Sequence, residues 1–155
     1  MAELELSRGK VAIIDDEDLE RLSEWKWSYH ALGYAYRMIG PGKARKAIYL
    51  HRFLAGVSGK DVDHINGNGL DNRKINLRTA TRAENLRNAG KRNMKTSSRF
   101  KGVCWDKKNK KWISSITKAR RNIYLGYFLS EEDAARAYND AAFSLFGEFA
   151  KPNEL

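Results

Sequence analysis

The chain has 155 residues, 42% hydrophobic, 31% charged and 11% aromatic, a globular composition sufficient for one medium or two small domains. No apolar run approaches the roughly 18 residues of a membrane helix, and the acidic start Met1 to Leu6 is unlike a signal peptide, so a cytoplasmic protein with no membrane partner is expected. Cys104, the sole cysteine, excludes an internal disulfide and the paired-thiolate zinc sites of many nucleic-acid binders, while 29 Lys and Arg against 19 Asp and Glu leave a net charge of +10 that favours a phosphate polyanion as partner.

In chain order, Val11–Ile14, Trp25–His30, Tyr34–Ile39 and Ala47–His51 are β-branched or aromatic runs separated by turns at Gly33 and Gly40-Pro41-Gly42, and they read as strands. The acids Asp15 to Asp18 sit where a short helix reaching about Glu24 would begin, which suits the positive end of its dipole and reads as a cap rather than a metal cluster. From Asp61 the order becomes strand, loop, strand, helix: Val62-Asp63-His64-Ile65, an Asn- and Gly-rich loop, then Ile75-Asn76-Leu77-Arg78-Thr79. Thr81 with Glu84 three residues on is a capping box for the helix that follows.

Residues 90–98 lack apolar periodicity and read as a basic linker. Beyond them three short strands are expected, about Phe100–Trp105, Lys111–Thr117 and Asn122–Phe128. A helix starting at Ser130 carries Ala134, Ala137, Tyr138, Ala141 and Leu145 down one face. Trp112, Ser114 and Ile116, with Ile123 and Leu125, are the sheet face expected to meet it.

Residues 61–88 hold the groups that phosphodiester cleavage requires. His64 titrates near neutrality and can deprotonate water, and Asp63 is a hard oxygen donor suited to magnesium or manganese. Adjacent strand residues point to opposite faces, so the two can share one phosphate only where the strand ends and the chain turns, as it can at Asn66-Gly67.

These residues resemble the HNH endonucleases, particularly small phage and bacterial homing enzymes with a ββα-metal site. The resemblance runs from Tyr49 to Asn88 through Leu50-His51-Arg52, Val62-Asp63-His64, Asn72-Arg73, Asn76-Leu77-Arg78 and Glu84-Asn85, with Asn76 and Asn85 lying 12 and 21 residues beyond His64. It implies His64 as general base, Asp63 and Asn85 as ligands of one divalent metal, and Asn76 bracing the loop. Asn85 stands where many relatives have His, and its hard amide oxygen suits magnesium better than zinc. His51, Arg52, Arg73, Arg78, Arg82 and Arg87 are candidate phosphate contacts, although His51 could equally fill the strand.

Phe100 to Asn153 resembles a second family, the plant ethylene-response-factor (APETALA-type) DNA-binding domain, through Phe100-Lys101-Gly102-Val103, Tyr124-Leu125-Gly126-Tyr127-Phe128 and the Ala-rich helix. That resemblance implies a three-stranded sheet in the major groove, with Lys101, Lys108, Ser115, Thr117, Asn122, Tyr124 and Tyr127 facing DNA. Thr117, Asn122 and Tyr124 replace the arginines and tryptophan of the plant domains, so the plant target sequence does not transfer.

The expected fold class is α+β, with a β-rich extension over 1–48, a nuclease core over 49–89, a linker over 90–98 and a DNA-binding domain over 99–155. The expected function is a homing-type, site-directed endonuclease that binds double-stranded DNA as a monomer. The rivals are a non-enzymatic sequence-specific transcription regulator and a basic RNA-binding protein.

Overall fold

A computed structural model describes residues 1–89 and 96–155. It divides into two units, Met1–Asn85 and Leu86–Leu155, and its class is mixed α and β. No helix among the described residues is long and apolar enough to cross a membrane.

In the first unit β1 (Ala2–Glu5) pairs antiparallel with β2 (Val11–Ile14), and their period of two turns Leu4, Ala12 and Ile14 inward. The acids that follow form a short 3-10 turn leading into α1 (Leu19–Ser23), which buries Leu22. They also reach across the fold: the Asp15 carboxylate accepts from the Lys74 backbone N–H at 2.8 Å, and the Lys74 ammonium pairs with Glu17 and Asp18. The acidic run is therefore an anchor for a distant loop as well as a helix start.

Next come β3 (Ser28–His30), β4 (Tyr34–Ile39) and β5 (Lys46–Tyr49), an antiparallel sheet in that order. The strand expected from Trp25 begins only at Ser28, because Trp27 turns into the core and its indole N–H donates to the Leu22 carbonyl at 3.0 Å. The strand expected over Ala47–His51 ends at Tyr49, and the chain coils into α2 (Leu50–Ala55). Leu50, Phe53 and Leu54 have the three- and four-residue spacing that puts one apolar helix stripe on the core, and Gly56 closes the helix with φ +61°.

β6 (Asp61–His64) and β7 (Leu77–Ala80) form a separate antiparallel pair, followed by α3 (Arg82–Asn88). The capping box forms: the Thr81 N–H donates to the Glu84 carboxylate at 2.7 Å, and the Glu84 N–H to the Thr81 hydroxyl at 3.3 Å. One core of Leu4, Leu6, Ala12, Ile14, Leu22, Trp27, Ala35 and Leu50 takes in Phe53 and Leu70. Residues 1–48, expected as an extension, thus share a core with α2 and the loop between β6 and β7.

The second unit is a three-stranded antiparallel sheet of β8 (Val103–Asp106), β9 (Lys111–Lys118) and β10 (Arg121–Phe128), with β9 central and α4 (Glu131–Phe146) packed on one face. The Ser130 hydroxyl caps α4 by accepting from the Asp133 N–H at 3.0 Å. Ala134, Ala135, Tyr138 and Ala142 are buried, and the small side chains let the helix lie close to the sheet. Ile123 pairs with the buried Ile116 yet stays 37% exposed, because β10 is an edge strand. Within the expected linker, residues 90–95 lie outside the described residues, but Ser97 and Ser98 are tied into this unit: their hydroxyls accept from the N–H groups of Trp105 and Phe100.

Candidate active site

The β6–β7 pair sets the register of the site, with Asp63 opposite Arg78 and His64 opposite Leu77. β6 ends at His64, and the Gly67 N–H donates to the His64 carbonyl at 2.8 Å to start the turn. The loop to β7 is held by its own side chains. The Asn76 amide accepts from the Asn66 N–H at 3.0 Å and donates to the Asn66 side chain at 3.0 Å and to the Asp71 carbonyl at 2.7 Å. Arg73 grips the Asp71 carboxylate through Nε at 2.8 Å and Nη2 at 2.6 Å, which together hold that carboxyl below its ordinary range. β2 clamps the far side: the Ile13 N–H donates to the Leu70 carbonyl at 2.8 Å, and the Asn72 N–H to the Ile13 carbonyl at 2.7 Å. Gly69 lies so close to β4 that an added Cβ would meet the Gly33 carbonyl oxygen at 2.4 Å and the Tyr34 ring at 2.7 Å.

His64 is buried on this frame at 5% exposure, with Nε2 3.4 Å from the Asn72 side-chain oxygen. Burial pulls its pKa below 6.5, opposed by the Asn72 contact and by the Asp63 and Asp71 charges. An amide oxygen facing Nε2 favours the tautomer with the proton there and the lone pair on Nδ1. The ring also packs edge-on to His51 at 5.0 Å between centroids and against Tyr34 at 5.8 Å.

The two expected metal ligands have other neighbours in this structure. Asp63, buried, accepts from Arg78 Nε at 3.0 Å and Nη2 at 2.9 Å on the same oxygen, Oδ2. Asn85, one turn into α3, reaches Asp61 at 3.5 Å. Among the described residues no three His, Cys, Asp or Glu side chains gather into a metal site. One carboxylate and one amide fit a hard, mostly hydrated divalent cation that completes its shell with water and substrate phosphate, and they do not fit a closed structural zinc site.

The expected DNA contacts divide. His51 lies on α2 rather than on a strand surface, and is buried because α2 turns it toward Tyr34, Tyr49 and His64. Arg52 donates to the Lys60 carbonyl, Arg73 and Arg78 serve Asp71 and Asp63, and Arg82 stays exposed beside Asp61. Within the second unit Arg87 stacks on Phe146 at 4.8 Å. Lys101 is turned inward rather than toward a phosphate: its ammonium donates to the Arg87 and Ala89 carbonyls, and burial lowers its pKa. Lys108 is exposed in the β8–β9 turn. Thr117, Asn122, Tyr124 and Tyr127 are exposed on the sheet, Ser115 is half-buried, and the Tyr127 hydroxyl donates to Asp106. Sequence reasoning included Asn72 in the family resemblance but gave it no role, because that role depends on the loop closing back on His64.

The site lies within a stretch that matches a known family. Residues 58–87 match the HNH endonuclease family. No solved structure matches the chain significantly. Over 97% of its length the chain is 35% identical to a protein of Acanthamoeba polyphaga mimivirus described as an uncharacterized HNH endonuclease, 79% of which it covers. Similarity at that level, reaching well past the matched motif on both sides, makes the chain a member of the HNH endonuclease family.

Proposed function

We propose that the protein is a site-directed, homing-type DNA endonuclease in which His64 is the general base. The observation that carries this reading is a buried imidazole at the end of β6 whose Nε2 faces the Asn72 oxygen. Burial keeps it neutral, so at neutral pH its Nδ1 lone pair can take a proton from the attacking water. Asn76 holds the turn that follows His64, so the base is presented by a fixed backbone. A magnesium or manganese ion held by Asp63 and Asn85 would supply the positive charge that stabilises the departing 3′ oxygen. Arg78, gripping Asp63, orients that carboxylate.

The second unit, with its resemblance to the ethylene-response-factor domain, acts in this reading as a tether to duplex DNA. Its exposed Thr117, Asn122, Tyr124 and Tyr127 support that reading. One site per chain makes a monomer a nicking enzyme.

The test incubates the protein and His64→Ala with supercoiled DNA carrying candidate insertion sites, with magnesium or manganese against chelator. Metal-dependent conversion to nicked circles by the native chain, lost in the variant, is expected. Binding without cutting in either metal would replace the nuclease with a non-enzymatic regulator.

A further inference from the structure

The imidazole beside His64 has no task in the scheme above. His51 is 8% exposed, and its Nδ1 is closed off from solvent with no hydrogen-bond partner. Neither ring nitrogen is hydrogen-bonded to any described residue. The ring is nevertheless firmly held, with centroids 5.4 Å from Tyr34, 5.7 Å from Tyr49 and 5.0 Å from His64. Packing alone would be served as well by phenylalanine; Nε2, which is not sealed as Nδ1 is, is the nitrogen open to a partner that the chain does not supply.

Tautomer chemistry identifies the available group. A sealed N–H without an acceptor is rarer and costlier than a sealed lone pair, so the proton belongs on Nε2 and the bare nitrogen is Nδ1. Ring centroids 5.0 Å apart set the two imidazoles side by side, so one phosphate can lie against both. We propose that His51 is a second catalytic imidazole, a neutral N–H donor that binds a non-bridging oxygen of the phosphate attacked beside His64. A neutral donor suits this position: burial, with His64 and Arg52 adding like charge, lowers its pKa to about 4, so it does not set a full positive charge against a base that must itself become cationic. A fixed donor aimed at a phosphate oxygen strengthens as charge builds there in the transition state, so it acts on the rate more than on binding.

The inference rests on the nuclease reading, and two measurements separate its failure from the failure of that reading. Long-range proton–nitrogen NMR of the histidine-labelled free protein is expected to show His51 neutral with Nε2 protonated; an Nδ1-protonated or cationic ring would overturn the proposal whether or not the protein cuts DNA. Single-turnover nicking of plasmid is then compared for His51→Phe, which keeps the packing, and His51→Gln, which keeps an N–H donor. The Phe variant is expected to be slower by about a hundredfold at unchanged DNA affinity, as for loss of one transition-state donor, with Gln recovering part of the rate. Equal rates for the Phe variant and the native chain would reduce His51 to packing. If the native chain does not cut, the nuclease reading and the assigned role fall together, and the NMR result then shows only the tautomer.

Discussion

Asn72 and Arg78 each hold one of the side chains on which the proposed chemistry depends, by different physics. Asn72 is 1% exposed and offers an oxygen to Nε2 of His64, so Asn72→Ala removes what selects the tautomer. Nicking should slow by about a hundredfold, the lower end of what a positioned base contributes, with DNA affinity intact; single-turnover rates beside a binding titration would check it. Arg78 balances a buried carboxylate. Arg78→Met would take the guanidinium from a buried carboxylate, at a cost on the order of 3–5 kcal/mol in urea denaturation, whereas Arg78→Lys keeps the charge and should cost less. Magnesium should raise the melting temperature of the Met variant more than that of the native chain, since the ion would replace the lost cation; equal shifts would count against Asp63 as a ligand. The two buried histidines make stability depend on pH. Both have lowered folded pKa values, so each is neutral in the folded chain but charges in the unfolded chain below about 6.5. Their contribution is complete above that pH and is lost as the pH falls below it, for His51 down to about 4. For His51 alone the loss is on the order of 3 kcal/mol at about 1.4 kcal/mol per tenfold change in proton affinity. The Asp71 carboxyl, also lowered, acts only below its ordinary 3.8, so the windows do not overlap. Urea midpoints that stay flat from about pH 6.5 to about pH 4 would refute the assignment.

Among the elements, close approach governs as much as propensity. Gly102 has φ +76° and lies against α4 so tightly that a Cβ would fall 2.1 Å from the Tyr138 ring and 2.5 Å from the Ser115 carbonyl oxygen. Gly102→Ala should therefore unfold the second unit while the first keeps its melting transition, as near-ultraviolet dichroism and calorimetry would report; a normally folded variant would mean that α4 can shift off the sheet. The elements legible in the sequence were those with a complete local signal. β2 and β4 follow their apolar runs residue for residue, and α3 and α4 follow their caps at Thr81 and Ser130. Elements fixed from a distance were not legible: β1 is only four residues long and exists because β2 pairs with it, and α2 interrupts an apparent strand because Leu50, Phe53 and Leu54 find a core built by residues 4–35. The site divides in the same way. Asp63, His64, Asn76 and Asn85 stand in an ordered spacing that one chain can show, whereas Arg78 on Asp63, Asn72 on His64 and His51 beside it arise when strands pair and the loop closes.

For the whole molecule, charge is the property that decides how it meets DNA. Residues 1–60 carry 10 basic and 8 acidic side chains, residues 61–100 carry 9 and 4, and residues 101–155 carry 10 and 7, so most of the excess lies beyond the first 60 positions. In the second unit the cations gather at the ends of the sheet: Lys107, Lys108 and Lys110 in the β8–β9 turn, and Lys118, Arg120 and Arg121 around the β9–β10 turn. Between them the open face carries Thr117, Asn122 and Tyr124, the last 56% exposed. Cations at both ends of a polar, aromatic strip suit a duplex whose two backbones flank a groove, with phosphate contacts setting affinity and the middle of the sheet reading the bases. Removing residues 96–155 should therefore weaken binding and flatten its salt dependence, by about 0.9 in the logarithmic slope for each phosphate no longer neutralised. Slow metal-dependent nicking should persist, because His64, Asp63 and Asn85 all lie in the first unit. Titrations of the full chain and the truncated chain over a salt series, beside plasmid nicking, would measure both effects. A truncated chain that binds as tightly and with the same slope would put the DNA contacts on the first unit and remove the tether from the scheme.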